Sequence, residues 1–113
     1  MIDNKILEKD IKNKQDKAVW HYFDKKVNNY IKQDKKAGRE IYDYLQGDKY
    51  INIKWLKNCI NRCCGGCGNK FTLDIDDNLN VSSDITAQRL DNTLPHILNN
   101  IEPMCVICNC SNK

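Results

Sequence analysis

With 113 residues, 41% of them hydrophobic and 29% charged, the chain is long enough for one domain and too short for a multi-domain enzyme with a large buried pocket. No run approaches the ~18 apolar residues of a transmembrane helix, and the N-terminus lacks the apolar core of a signal peptide. We therefore expect an intracellular protein without membrane contact, in a reducing compartment such as cytoplasm, nucleus or virion.

The net charge of +3 is unevenly distributed. Residues 1–58 carry 14 Lys or Arg against 9 Asp or Glu, whereas residues 59–113 carry 4 against 6. All seven cysteines lie in residues 59–113, so the chain divides into a lysine-rich segment (1–58) and a cysteine-bearing module (59–113). An odd number of cysteines in a reducing compartment suggests a metal site rather than disulfides.

The lysine-rich segment is predicted to be helical. Residues 1–17 carry apolar side chains near a helical spacing, which suits either a frayed amphipathic helix or a partly disordered arm. Residues 18–33 are better patterned, and Gly38 is a plausible terminator. The apolar face of this second stretch consists of Val19, Phe23, Val27, Tyr30 and Ile31.

Two shorter helices are predicted next. The first covers about residues 40–45 and ends before Gly47. Asn52 can cap the second, over about residues 53–62, where apolar residues at i, i+3 and i+7 should face a core.

The cysteine-bearing module is predicted to contain a β-hairpin. Residues 71–75 alternate apolar and polar side chains, and Asp76-Asp77-Asn78 favours a turn. Residues 79–81 and 85–87 are predicted to form a second, broken strand, followed by a polar loop through His96. The last element, from Cys105 to about Asn112, is predicted to be a short helix.

Two C-x2-C pairs predict a zinc site. Cys64 and Cys67 flank two glycines, and Cys105 and Cys108 follow after 37 further residues. Zinc takes four thiolates in a tetrahedron, and each pair can supply two of them from one tight turn. A four-cysteine site leaves no open coordination position, so this zinc is expected to be structural and to supply much of the folding energy. A knuckle, a hairpin and a ligand pair on a helix form the treble-clef arrangement.

The other three cysteines lack such a pattern. Cys63 could replace Cys64 in a C-x3-C knuckle, although the glycine directly after Cys67 favours the C-x2-C register. Cys59 is expected to be a buried apolar residue. Cys110 is either a spare thiol or an alternative ligand.

A longer motif surrounds the second cysteine pair. It consists of Ile85-Thr86-Ala87-Gln88-Arg89-Leu90-Asp91-Asn92, then Pro95-His96, then Asn100-Ile101-Glu102-Pro103-Met104-Cys105, then Cys108-Asn109. Over residues 59–113, and more loosely over 33–39, the chain thereby resembles the zinc-bearing HNH endonucleases, above all the divergent ones of large DNA viruses and their eukaryotic hosts. The resemblance implies a ββα-metal fold in which a hairpin strand and the final helix hold one catalytic divalent cation, usually Mg2+.

The resemblance also implies roles for individual residues. Asn100 corresponds to the asparagine that orients the catalytic histidine, and Asn109 to the last cation ligand on the helix. Gln88 and Arg89 stand where the family has an Asp-His pair, the cation-binding carboxylate and the general base. A glutamine carbonyl is a weaker ligand than a carboxylate for a hard dication, and an arginine is no base near neutral pH.

Asp91 and His96 are the possible replacements for the missing pair. Asp91 could donate the carboxylate, and His96 could serve as the base if its loop folds back over the cation. The alternatives are a capping role for Asp91 and a solvent-exposed loop position for His96. Arg89 has a further possible use, since a guanidinium can clamp a phosphate.

A basic run in the lysine-rich segment is the predicted nucleic-acid contact, because the cysteine-bearing module is slightly acidic. Acidic residues interleave with the run, so it could equally be a solvated helix face. Contact with double-stranded DNA would be to the phosphate backbone, salt-sensitive and weakly sequence-specific. The run comprises Lys25, Lys26, Lys32, Lys35, Lys36 and Arg39.

These features predict an α+β fold, with a helical N-terminal segment packed on a ββα-metal, treble-clef zinc module of the HNH type. The leading hypothesis is a small metal-dependent DNA endonuclease or its descendant, with structural Zn2+ and, if active, Mg2+. The alternatives are a catalytically inactive nucleic-acid-binding zinc module and a zinc-stapled structural protein, for instance a viral particle component.

Overall fold

The computed structural model describes residues 4–111, and side-chain environments over residues 7–110. Its class is α+β, as predicted, with helices and two small antiparallel sheets. Residues 1–3 of the predicted N-terminal helix or arm, and Asn112 of the predicted final helix, lie outside the described residues. In chain order the elements are α1 (Asn4–Lys36), α2 (Tyr42–Leu45), α3 (Ile53–Cys59), β1 (Leu73–Ile75), β2 (Val81–Ser83), β3 (Ile85–Arg89), a 3-10 turn (Leu98–Asn100), β4 (Ile101–Cys105) and α4 (Val106–Ser111).

Helix α1 is continuous for 33 residues, so the helical alternative holds for the described part of residues 1–17, and this part joins the better-patterned stretch without a break. Its early apolar side chains, Leu7 and Ile11, are about half exposed, whereas Phe23 is fully buried. Gly38 ends the helix as predicted, since it adopts a φ of 75° that favours glycine. Among the described part of the chain, no helix is both long and apolar enough to cross a membrane.

The capping prediction for α3 is confirmed. The side-chain oxygen of Asn52 accepts a hydrogen bond of 2.8 Å from the backbone N–H of Trp55. The helix ends at Cys59, three residues before the predicted end at Arg62, and Leu56 and Cys59 are its buried residues.

The sheets correct the predicted strand arrangement. Strands β1 and β2 form the expected hairpin, with Leu73 opposite Ser83. Strand β3 was predicted to continue the same hairpin, and this was wrong. It pairs instead with β4, a strand that the sequence pattern did not reveal, in a register that sets Ile85 opposite Cys105. Pro103 within β4 obscures the strand in sequence, because proline is tolerated only where a strand has a free edge, and each strand of a two-stranded sheet has one.

The hydrophobic core draws on both sides of residue 58. Side chains from α1 and α3 pack with side chains from β3 and β4 in one cluster, and the phenol of Tyr30 accepts a hydrogen bond of 3.0 Å from the backbone N–H of Ala87. Helix α1 is thereby fixed along the edge of β3. The cluster includes Phe23, Ile41, Tyr50, Ile51, Leu56, Ile85, Ala87, Ile97, Ile101 and Met104.

Candidate functional site

The four cysteines of the two C-x2-C pairs come together. Their sulfur atoms all lie within 4.8 Å of one another, in a cluster made by Cys64, Cys67, Cys105 and Cys108. The sulfurs of a tetrahedral zinc site with bonds of about 2.3 Å are about 3.8 Å apart. The cluster could therefore hold a metal ion after a small contraction, and its all-thiolate donor set is consistent with a structural zinc site.

The first pair sits on a tight backbone turn. The N–H of Gly68 donates a hydrogen bond of 3.0 Å to the carbonyl of Cys64, and Gly68 itself has a φ of 76°. Cys63 forms a backbone bridge with Lys70 across the base of this turn, so Cys64 rather than Cys63 reaches the cluster. The second pair begins at Cys105, the last residue of β4, and continues on α4.

Gly66 is required by the close approach of the two pairs. A Cβ at this position would lie 2.9 Å from the Cβ of Cys108 and 3.1 Å from the terminal methyl of Met104. The backbone N–H of Gly66 lies 3.3 Å from the sulfur of Cys64. The turn can therefore present an amide directly to a ligand sulfur.

The cluster favours one ionised thiol even without a metal. Burial opposes ionisation of Cys64, but hydrogen bonds from the backbone N–H groups of Cys105, Cys67 and Gly66 outweigh it and lower its pKa to about 6. Hydrogen bonds with neighbouring thiols raise the pKa of Cys108 to about 12, and the bond with Cys105 has the largest effect. One negative charge is thus concentrated where a cation would bind.

The remaining cysteines lie apart from the cluster. Cys59 is 2% exposed on the inner face of α3, which confirms the prediction of a buried apolar residue. Cys63 and Cys110 are exposed.

A separate cleft of about 720 Å³ lies where α1, β3 and α4 meet. Among the residues for which the resemblance raised a role, Gln88, Arg89, His96 and Asn109 line it, beside Tyr30 and Gln33 of α1. Asp91 and Asn100, which are both within the described chain, do not line it.

His96 is buried, with 4% of its surface exposed, so the solvent-exposed loop position was wrong. Its ring nitrogen Nδ1 lies 2.9 Å from Oδ2 of Asp34, and its backbone N–H donates to the same oxygen at 3.0 Å. The ring of Tyr30 packs on the imidazole at a centroid distance of 4.4 Å. Burial lowers the pKa of His96, and the opposing effect of Asp34 does not restore it, so the ring is neutral at neutral pH.

Asp34 is the residue whose role sequence reasoning missed, since it was noted only as one of the acidic residues among the lysines and as part of the loosely matching residues 33–39. It is fully buried and also accepts hydrogen bonds from Nε of Arg39, at 2.6 Å, and from the hydroxyl of Tyr50. The signal that could have revealed it is periodicity, because Asp34 follows Tyr30 by four residues and so continues the apolar face of the helix.

Asp91 and Asn100 shape the loop before His96. Asp91 accepts hydrogen bonds from the backbone N–H and the hydroxyl of Thr93, which is the capping alternative. Asn100 is buried and binds both backbone groups of Asp91, at 2.8 and 3.0 Å, and the carbonyl of Pro95 at 3.1 Å. The asparagine that the resemblance assigns to histidine orientation therefore holds the loop that carries His96.

Arg89 and Asn109 each use part of their hydrogen-bonding capacity inside the protein. Nη1 of Arg89 donates to the carbonyls of Asn92 and Leu94, so one of its nitrogens holds the same loop. The amide nitrogen of Asn109 donates to the hydroxyl of Thr86 at 3.0 Å. This bond fixes the side chain and leaves its amide oxygen as the atom that Asn109 can offer to a ligand.

The basic run does not form a single surface. At 100° per residue, Lys25, Lys32 and Lys36 share an exposed face of α1, on the side opposite to Asp34. Lys26 is half-buried and donates to the carbonyl of Ile85 at 3.0 Å. Arg39 is held by its ion pair with Asp34, and Lys35 is exposed.

Comparison of the chain with protein-family models, curated proteins and solved structures gave no match. The resemblance to the HNH endonucleases therefore rests on the sequence motifs of residues 59–113, and more loosely of 33–39, alone.

Proposed function

We propose that this chain is a zinc-stabilised nuclease of the HNH type in which His96 serves as the general base. The observation that carries the proposal is one cleft in which a neutral histidine, paired with a buried carboxylate, lies beside Arg89 and Asn109. The order of cysteine knuckle, paired strands and ligand-bearing α4 supports the treble-clef interpretation.

The zinc ion is proposed as a structural staple. All four donors are cysteines, and the backbone N–H groups of Gly66 and Cys105 approach the sulfur of Cys64 at 3.3 Å. Such a site would bind the knuckle to β4 and α4, and so would hold Asn109 at the cleft. When bound, zinc supplies folding energy to a module with a small core.

The residues of the cleft suit phosphodiester hydrolysis by an activated water. A neutral imidazole whose Nδ1 is engaged by a carboxylate can accept a proton from water at Nε2. Arg89 keeps guanidinium N–H groups beyond Nη1, and these can bind a phosphate oxygen. His96 would thus activate the nucleophile while Arg89 holds the substrate.

A resident magnesium site does not fit the cleft well. Mg2+ is bound in proteins through one or two carboxylates together with substrate phosphates. The lining that the structure describes offers the amides of Gln88 and Asn109 and no carboxylate. We therefore assign the cleft no resident magnesium site, and any requirement for Mg2+ would come through phosphate oxygens of the substrate.

Cleavage assays test the proposal. Supercoiled plasmid, linear duplex, single-stranded DNA and RNA would be incubated with the zinc-loaded protein in Mg2+, Mn2+ or EDTA. We expect cleavage that His96→Gln lowers by about 10²- to 10⁴-fold, the usual contribution of a general base. His21→Gln is the matched control, because His21 is exposed on α1. Equal activity of the two variants, both with full zinc content, would contradict the assignment.

A second candidate is a nucleic-acid-binding module that has lost catalysis, and the absence of a carboxylate from the described lining of the cleft favours it. It predicts binding to duplex DNA that weakens as salt is raised, without cleavage under any of these conditions. Replacement Gln88→Asp then becomes the informative variant, since a gain of cleavage would show that only a ligand was missing.

A further inference from the structure

The carboxylate of Asp34 is surrounded by hydrogen-bond donors. Its Oδ1 accepts from Arg39 Nε at 2.6 Å, and its Oδ2 accepts from the Tyr50 hydroxyl and from the backbone N–H of His96 at 3.0 Å. Two of these partners, the Arg39 Nε–H and the backbone N–H of His96, can only donate and so favour the ionised carboxylate. The three bonds together outweigh the effect of burial and lower the pKa of Asp34, so the carboxylate is ionised.

An ionised carboxylate fixes the state of the imidazole that faces it. Because Asp34 can only accept, the ring atom Nδ1 of His96, at 2.9 Å, must carry the hydrogen. A neutral ring then has its lone pair on Nε2. Tyr30 packs against one face of the ring at 4.4 Å and limits its rotation.

We infer that Asp34 is a positioning residue that holds His96 in the Nδ1–H tautomer, which places the lone pair of the base on Nε2. This inference rests on the proposed function for its catalytic meaning. Asp34 lies 62 residues before His96 and on α1, within the loosely matching residues 33–39, where the resemblance to the HNH endonucleases assigns it no role. The lysine-rich segment thus supplies the group that prepares the base, and the cysteine-bearing module supplies the base itself.

The tautomer can be read directly by long-range ¹H–¹⁵N spectra of the ¹⁵N-labelled, zinc-loaded protein. The chain has 2 histidines, so the exposed His21 serves as an internal reference. We expect His96 to show a protonated Nδ1 and an unprotonated Nε2 near neutral pH. An Nε2–H tautomer, or an equal mixture, would overturn the inference.

Two variants separate positioning from a general structural effect. Asp34→Ala removes the acceptor of Nδ1, and we expect His96 to move toward the Nε2–H form that predominates in free histidine. Tyr50→Phe is the matched control, because it removes a different hydrogen bond to the same carboxylate and should leave the tautomer unchanged. An unchanged tautomer in Asp34→Ala would overturn the inference. If Asp34→Ala does not fold, the spectrum of the wild-type protein decides.

Cleavage distinguishes this inference from the proposed function. With an active protein, Asp34→Ala should lower the cleavage rate by about 10²-fold or more while Tyr50→Phe has a much smaller effect. Retention of the full rate by a folded Asp34→Ala would overturn the positioning role. Wild-type protein that shows the expected tautomer and cleaves nothing would refute the nuclease and leave the Asp34–His96 pairing established.

Discussion

Replacement of Gly66 by alanine should weaken metal binding by displacing a ligand. The added Cβ would lie 2.9 Å from the Cβ of Cys108 and 3.0 Å from its sulfur, closer than side chains pack. Neither atom can yield without moving a ligand, because both belong to Cys108. Overpacking of this kind costs about 1–3 kcal/mol, and each 1.4 kcal/mol is tenfold in affinity. We therefore expect the zinc affinity to fall by about 5- to 150-fold.

Gly65→Ala is the matched control in the same turn. Its Cβ would meet Glu102 at 3.3 Å and Met104 at 3.4 Å, contacts that a small shift of these side chains relieves. Zinc affinity would be measured by competition with a chromophoric chelator, and site geometry by the absorption of the Co2+-substituted protein. We expect Gly66→Ala to change both and Gly65→Ala to change neither substantially. A Gly66→Ala variant that binds zinc as tightly as Gly65→Ala would refute the reasoning from close approach.

Two further predictions concern stability. The pKa of His96 is lowered from 6.5 and that of Asp34 from 3.8, so the unfolded chain binds more protons than the folded one in acid. The contribution of His96 to the free energy of unfolding should be complete above about pH 6.5 and lost at lower pH, and that of Asp34 should be lost below about pH 3.8. Urea unfolding at a series of pH values, with zinc release followed in parallel, checks this. A free energy of unfolding that increases as the pH is lowered from 7 to 5 would contradict it. Asn52→Ala should lower the free energy of unfolding by about 1 kcal/mol through loss of the cap of α3. Asn58→Ala, at an exposed position of the same helix, should lower it much less. Equal urea midpoints of the two variants would show that the cap is unimportant.

Short-range interactions made the cap of α3, the end of α1 and the cysteine knuckle predictable from the sequence. The Asn52 cap, the Gly38 terminator and the C-x2-C spacing each act within a few residues, so the sequence pattern contains the whole cause. Strand β4 differs, because within residues 4–111 it pairs with β3 alone, and Ala87 faces Pro103 across a connection that short-range patterns do not describe. Residues 101–105 show no clear alternation of apolar and polar side chains, so they form a strand because of their tertiary pairing with β3.

The sequence motif predicted several residues of the cleft but not how their side chains are arranged. The motif picked out His96 and Asn109, which share the cleft, but it also picked out Asp91, which turns away to bind Thr93. The pairing of His96 with Asp34 was not predictable, because the loose match over residues 33–39 gave Asp34 no role and the residue lies on a different element, among lysines. Its burial depends on how α1 packs against the loop, which is a long-range property.

The packing of α1 makes the lysine-rich segment part of the site's scaffold, and a core substitution on α1 tests this. Phe23 is fully buried in the cluster that contains Ile85, so Phe23→Ala should lower the free energy of unfolding by about 3–5 kcal/mol. Trp20→Ala, at a position 45% exposed, should cost far less. The measurement is thermal unfolding of the Co2+-substituted protein followed both by helix content and by the absorption of Co2+ in the cysteine cluster. If α1 and the cysteine-bearing module unfold as one unit, both signals shift together in Phe23→Ala. A shift confined to helix content would mean that α1 is an independent arm, and Asp34 could not then hold His96 in place.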